Sequence, residues 1–173
     1  MFRECTSIIN IDLSNFNTKN VNNMSYMFSG CFSLINIDLS NVDTKNVIDM
    51  SHMFERCLSL TILNLSNFDT KNVIDMSYMF RGCSSIINIE LSNFNTKKVS
   101  NMKYMFSECS SLSKIDLSNF SSKNVTDMED MFYECNKKCV FNIKDKKIKH
   151  QFYDIEIPCF PETNDGRIIR FYY

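Results

Sequence analysis

Apolar residues return along this chain every 26 positions. Met-Phe pairs stand at Met1-Phe2, Met27-Phe28, Met53-Phe54, Met79-Phe80, Met105-Phe106 and Met131-Phe132. Three residues after each Phe comes a cysteine: Cys5, Cys31, Cys57, Cys83, Cys109 and Cys135. A fixed period of this size marks stacked repeats, in which each unit buries its apolar face against its neighbours.

Two spacings alternate inside the unit. In the first half, Ile11 and Leu13, Ile37 and Leu39, Leu63 and Leu65, Ile89 and Leu91, and Ile115 and Leu117 alternate with polar residues, which predicts strands. In the second half, Val21, Met24, Met27-Phe28 and Cys31 fall three or four apart, which predicts a short helix. Thr18 or Asn20 would cap it, with Asn23, Asp49, Asp75 or Asp127 in its first turn. A strand and a helix in every unit make an α/β repeat. The parallel sheet should line one face, its strands about 4.8 Å apart, and short helices the other.

The unit Leu34-x-x-Ile37-x-Leu39-Ser40-Asn41 is close to the strand signature of leucine-rich repeats. With Leu-Ser-Asn-Phe-Asp-Thr-Lys-Asn-Val at 65–73 and Met-Ser-Tyr-Met-Phe at 76–80, the repeat resembles the BspA-type leucine-rich repeat. That is the repeat of bacterial and protist surface proteins, also catalogued as a Mycoplasma-type lipoprotein repeat. The resemblance implies a right-handed solenoid and a cell-surface or secreted protein that adheres to host or matrix components. One departure stands out. Asn15, Asn41, Asn67, Asn93 and Asn119 follow the last strand Leu by two residues rather than three.

The array spans residues 1–135, and the pattern decays over 136–173. Phe141 and Ile143 still fall where the next strand would put its apolar residues, whereas Lys138 stands in place of the Leu. Residues 136–173 thus read as a degenerate last repeat and a β-rich C-terminal cap, with the aromatic and β-branched segments 151–160 and 167–173 covering the last strand edge. Met1 is itself a repeat Met, so the array is expected to continue upstream.

Charge and cysteine count change this picture little. A formal net charge of −1 gives no overall attraction to nucleic acid, and no apolar run reaches membrane-span length. Six of the eight cysteines share one repeat position, where free Cys acts as a small core hydrophobe. Cys139 and Cys159 lie off the register and are able to pair with each other or with Cys135 in an oxidising compartment. Cys135, Cys139, His150 and Cys159 include only a weak metal-site spacing, so no metal or other cofactor is expected. No catalytic motif surrounds His52 or His150, and three glycines supply no phosphate-cradling loop, so an enzyme is not expected.

Binding is left as the function, with the outward strand positions as its candidates. Asp12, Asp38, Asn64, Glu90 and Asp116 should form a mostly acidic row, with Asn10, Asn36, Ile62, Asn88 and Lys114 beside it on a concave face. Lys19, Lys45, Lys71, Lys97 and Lys123 form a cationic row expected to offset the acids. Asn and Thr columns (Thr18, Thr44, Thr70, Thr96) should satisfy turn backbone, and Tyr26, His52, Tyr78 and Tyr104 should sit half exposed on the outside. The expected function is a non-enzymatic binding module for a protein or glycan partner; the alternative is an intracellular interaction scaffold.

Overall fold

A computed structural model describes residues 1–151 of the chain. Five short strands recur at the predicted place in successive units: β1 Asn36–Ile37, β2 Ile62–Leu63, β3 Asn88–Ile89, β4 Lys114–Asp116 and β5 Val140–Asn142. All pair in parallel, β1 with β2 in one sheet and β3, β4 and β5 in another. The register is the sequence period itself: Asn36 faces Ile62, Ile89 faces Ile115, and Ile115 faces Phe141. Phe141 and Ile143 are buried, so one more strand does form after the Met-Phe pattern has ended.

The helices predicted for the other face do not form. Among the described residues the one helix is α1, Lys146–His150, in the segment expected to be β-rich. The rest of that cap, residues 152–173, lies outside the described residues. Where a helix was expected over Val21–Cys31, the chain instead makes consecutive tight turns. Met27 N–H donates to Met24 O at 3.2 Å, Ser29 N–H to Tyr26 O at 3.2 Å and Cys31 N–H to Phe28 O at 3.2 Å. The intervening N–H groups leave the unit: those of Met24, Tyr26, Phe28 and Gly30 donate to Asp49, Ser51, Met53 and Glu55 of the next one, at 2.8–3.0 Å.

Two local causes keep this segment out of a helix. Asn23 Oδ1 accepts the N–H of Ser25, and Asp49 and Asp75 do the same for Ser51 and Ser77 at 2.8–2.9 Å. Such short side-chain caps compete with helical bonding. Tyr26 and Gly30 then take φ of +56° and +74°, as their counterparts His52, Arg56, Tyr78 and Gly82 do, which puts the left-handed residue at the third position of the turns that Met27 and Cys31 close and of their repeats. That is the type II geometry, and no right-handed helix passes through it. Asn23, Asp49, Asp75 and Asp127, the expected first-turn residues, instead form with Asn101 a second parallel ladder of isolated bridges.

Between strand ladder and turn ladder lies one continuous core of buried columns. Phe28, Phe54, Phe80, Phe106 and Phe132 stack nearly parallel, with centroids 5.5–5.9 Å apart, and Phe2 begins the column. Phe141 meets Phe132 edge-on at 5.3 Å and ends the stack. Burying each ring contributes about 1.5–3 kcal/mol, and offset stacking adds to that. The Met columns fill the space around it, with Met53, Met79 and Met105 wholly buried. Each thiol donates to the carbonyl of the Phe one unit earlier: Cys31 to Phe2, Cys57 to Phe28, Cys83 to Phe54 and Cys109 to Phe80, at 3.0–3.2 Å.

The Thr and Asn columns join the units as expected. Thr44 Oγ1 donates to Asp69 O at 3.2 Å and accepts the N–H of Asp69 at 2.8 Å, and Thr18, Thr70 and Thr96 repeat the pair. Asn67, Asn93 and Asn119 each donate to the carbonyls of the preceding unit's turn, such as Leu39 O and Val42 O for Asn67. At the last unit Asp145 takes over: its carboxylate accepts the N–H and hydroxyl of Ser122 and also caps α1.

Candidate functional site

The strands are two or three residues long, and they present one column outward at each position their buried partner does not occupy. All ten candidates on this face are exposed: Asp12, Asp38, Asn64, Glu90 and Asp116 in one column, Asn10, Asn36, Ile62, Asn88 and Lys114 in the other. The parallel register brings Asn36 beside Ile62 and Asn88 beside Lys114.

The acidic column is less free than its exposure suggests. Each member accepts the N–H of the serine two residues on: Asp12 from Ser14, Asp38 from Ser40, Asn64 from Ser66, Glu90 from Ser92 and Asp116 from Ser118, at 2.8–3.0 Å. These bonds hold the Asp12 and Asp38 carboxyls below the usual carboxylate range, and they outweigh the like charge of Asp12 on Asp38. Desolvation pushes Asp116 up, yet the bonds from Ser118 and Asn142 still leave it lowered. The row therefore tolerates its repulsion because one oxygen per residue is a turn cap.

Two members of the lysine row are engaged elsewhere. Lys45 pairs with Asp43 at 3.2 Å and Lys71 with Asp69 at 2.7 Å, both two residues earlier in their own loop. Apolar side chains share the strand face with these two columns. Ile35, Ile62 and Ile87 stand 44%, 67% and 53% exposed, and Ile9 and Val140 continue the strip. Ile9, Ile35 and Ile87 share one repeat position, which Thr61 and Ser113 also occupy, whereas Ile62 and Val140 belong to the Asn10 column.

A second array of polar chemistry lies on the turn ladder. Tyr26, His52, Tyr78 and Tyr104 stack with centroids 4.2, 4.4 and 5.0 Å apart. His52 Nδ1 meets Glu55 Oε2 at 2.8 Å, and Arg81 bridges Glu55 at 3.3 Å and Glu108 at 2.6 Å. Desolvation raises Glu55, but His52 and Arg81 bring it below the usual range. Arg3 lies 4.5 Å over the Tyr26 ring, and Lys103 pairs with Glu129 beside Tyr104.

The thiols have no such exposure. Cys31, Cys57, Cys83 and Cys109 are buried and free, Cys139 is buried, Cys5 is free and half-buried, and Cys135 is half-buried. Desolvation pushes the Cys57, Cys83 and Cys109 thiols far up, so they are poor nucleophiles. A Cys139–Cys159 bridge and the fourth zinc ligand of the Cys135, Cys139, His150 set both involve Cys159, outside the described residues. Among the described residues no three His, Cys, Asp or Glu side chains are grouped to hold a metal ion, and no helix is long and apolar enough to cross a membrane.

A family model described as "Mycoplasma protein of unknown function, DUF285" matches the chain twice, over residues 1–62 and 59–151. No curated protein and no solved structure matches it.

Proposed function

The chain belongs to the family described as Mycoplasma protein of unknown function, DUF285, and from that premise we propose a non-enzymatic binding module that docks its strand face on a protein or glycan partner at the cell surface. In finer terms the array reads as a right-handed solenoid of the BspA type, a leucine-rich-repeat variant whose outer side is built of turns instead of helices. The adhesion role comes from that resemblance.

One observation carries the reading. The register pairs exposed Asn36 with Ile62 and exposed Asn88 with Lys114, near isoleucines left in water, on short strands over a buried core. A rigid scaffold presenting mixed apolar and amide groups suits recognition, because little ordering entropy is lost on binding. The alternative, an intracellular scaffold, draws on the free thiols of Cys5, Cys31, Cys57, Cys83 and Cys109.

The test is binding of the full chain to arrays of immobilised matrix proteins and glycans by biolayer interferometry. Ile62→Lys and Asn36→Lys should each weaken the captured partner at least tenfold while leaving the melting temperature unchanged. Equal binding by both variants would overturn the strand face as the contact surface. Protease shaving of intact cells separates the two compartments, since only a surface protein is cleaved.

A further inference from the structure

We propose a second site, an oxyanion-binding notch on the turn ladder, formed where Gly30 interrupts a column of long side chains. The column runs Glu4, Gly30, Arg56, Gly82, Glu108 and Glu134, every member with positive φ. Next to Gly30 a groove of about 390 Å³ opens, lined among others by Arg3, Glu4, Phe32, Arg56 and Arg81. Three guanidinium groups around one glycine-floored groove make an unusual concentration of planar cations.

Their commitments differ. Arg81 is held by Glu55 and Glu108, and Glu55 is held in turn by Arg81 and His52. Arg3 pairs with Glu4 at 3.4 Å, but both side chains are more than half exposed, and such a pair exchanges readily for a better ligand. Arg56 pairs with no carboxylate among the described residues. Its guanidinium lies 5.2 Å from the Phe32 ring centroid, over the ring face. Stacking on an aromatic ring orients the guanidinium plane and leaves its edge N–H fork available, the arrangement that binds carboxylate, sulfate or phosphate bidentately.

The chemistry is selective in a simple way. An oxyanion entering over Gly30 meets the Arg56 fork first and draws Arg3 from Glu4, while Arg81 and Glu55 neutralise each other at the wall. The site is separate from the strand face and does not depend on that face's role.

Titration of the full-length chain at low ionic strength with sodium sulfate, sodium phosphate and sodium glucuronate tests it, following the arginine Nε–Hε and Gly30 amide resonances. At least one anion should shift the Arg56 and Gly30 signals saturably, beyond a sodium chloride control of equal ionic strength. Which anion does so identifies the source of the oxyanion. Arg56→Gln should weaken that binding at least tenfold, and Arg56→Lys, which keeps the charge without the fork, should weaken it several-fold. Should Arg56→Gln fail to fold, Arg56→Lys and Phe32→Leu decide the matter. Absence of saturable shifts with all three anions, or unchanged affinity in the folded variants, overturns the site.

Discussion

At the scale of single residues, this protein spends its short polar side chains on its own backbone. Asp12, Asp38, Asp43 and Asp69 each accept an N–H two residues on, and the groups donating those bonds (with the Lys71 ammonium on Asp69) hold all four carboxyls low. Asp145 is pushed up by desolvation, but bonds from Ser122, Ile148 and Lys147 outweigh it and lower it too. A carboxyl depressed in the folded state stabilises above its unfolded pKa, near about 3.9 for Asp, and that stability is lost as pH falls through the folded value. The melting temperature should therefore be nearly flat above about pH 5 and fall progressively below about pH 4. Asp145→Asn should lower it at pH 7, because the amide no longer accepts both Ser122 bonds, and should make the acid decline shallower. Calorimetry from neutral to acid pH checks both; a steeper acid limb in the variant would contradict the assignment.

At the scale of elements, the turn ladder was the part least legible beforehand. Met24, Met27, Phe28 and Cys31 carry spacings of three and four, which a helix and a run of tight turns share, since both return the side chain inward after one turn of backbone. Of the residues that decide between them only Gly30 and Gly82 are glycine; Tyr26, His52, Arg56, Tyr78 and Tyr104 take positive φ without being so. By contrast the strand half was readable, because Ile37 and Leu39 or Ile89 and Leu91 permit only an alternating burial. The exposure of the ten candidate residues was readable for the same reason, whereas the capping of Asp12 and Asp38 by Ser14 and Ser40 was not, for it depends on turn geometry. Gly30 and Gly82 allow the ladder's backbone to be tested directly. A Cβ on Gly82 would meet Arg56 Cγ at 3.4 Å, an ordinary contact, so Gly82→Ala should cost about 1–2 kcal/mol from the left-handed φ of +70° alone. On Gly30 it would lie 3.2 Å from Glu4 Cγ and 3.3 Å from Glu4 Cα, adding crowding against backbone. Urea unfolding should rank Gly30→Ala as the more damaging; if the segment were helical, both changes would stabilise.

At the scale of the whole molecule, the period is the organising constraint, because every ladder bond, ring stack and strand pair joins residues one unit apart. Thr44 to Asp69, Phe54 to Phe80 and Ile89 to Ile115 all obey it. Stability should then be nearly a sum over units and the interfaces between them. Removing residues 63–88, one full period, joins Ile62 to Ile89 and leaves each remaining residue in its own column. The shortened chain should keep the same circular dichroism, unfold with a smaller urea m-value because less surface is exposed, and lose stability equivalent to one unit with its interface. Removing residues 63–87 deletes one residue fewer, yet it forces a bulge into a stack whose side chains alternate inward and outward. That variant, although longer, should be the less stable of the two. Equal stability would mean that neighbouring units tolerate slippage, and that the 26-residue beat records duplication of the unit without the register dependence its hydrogen bonds imply.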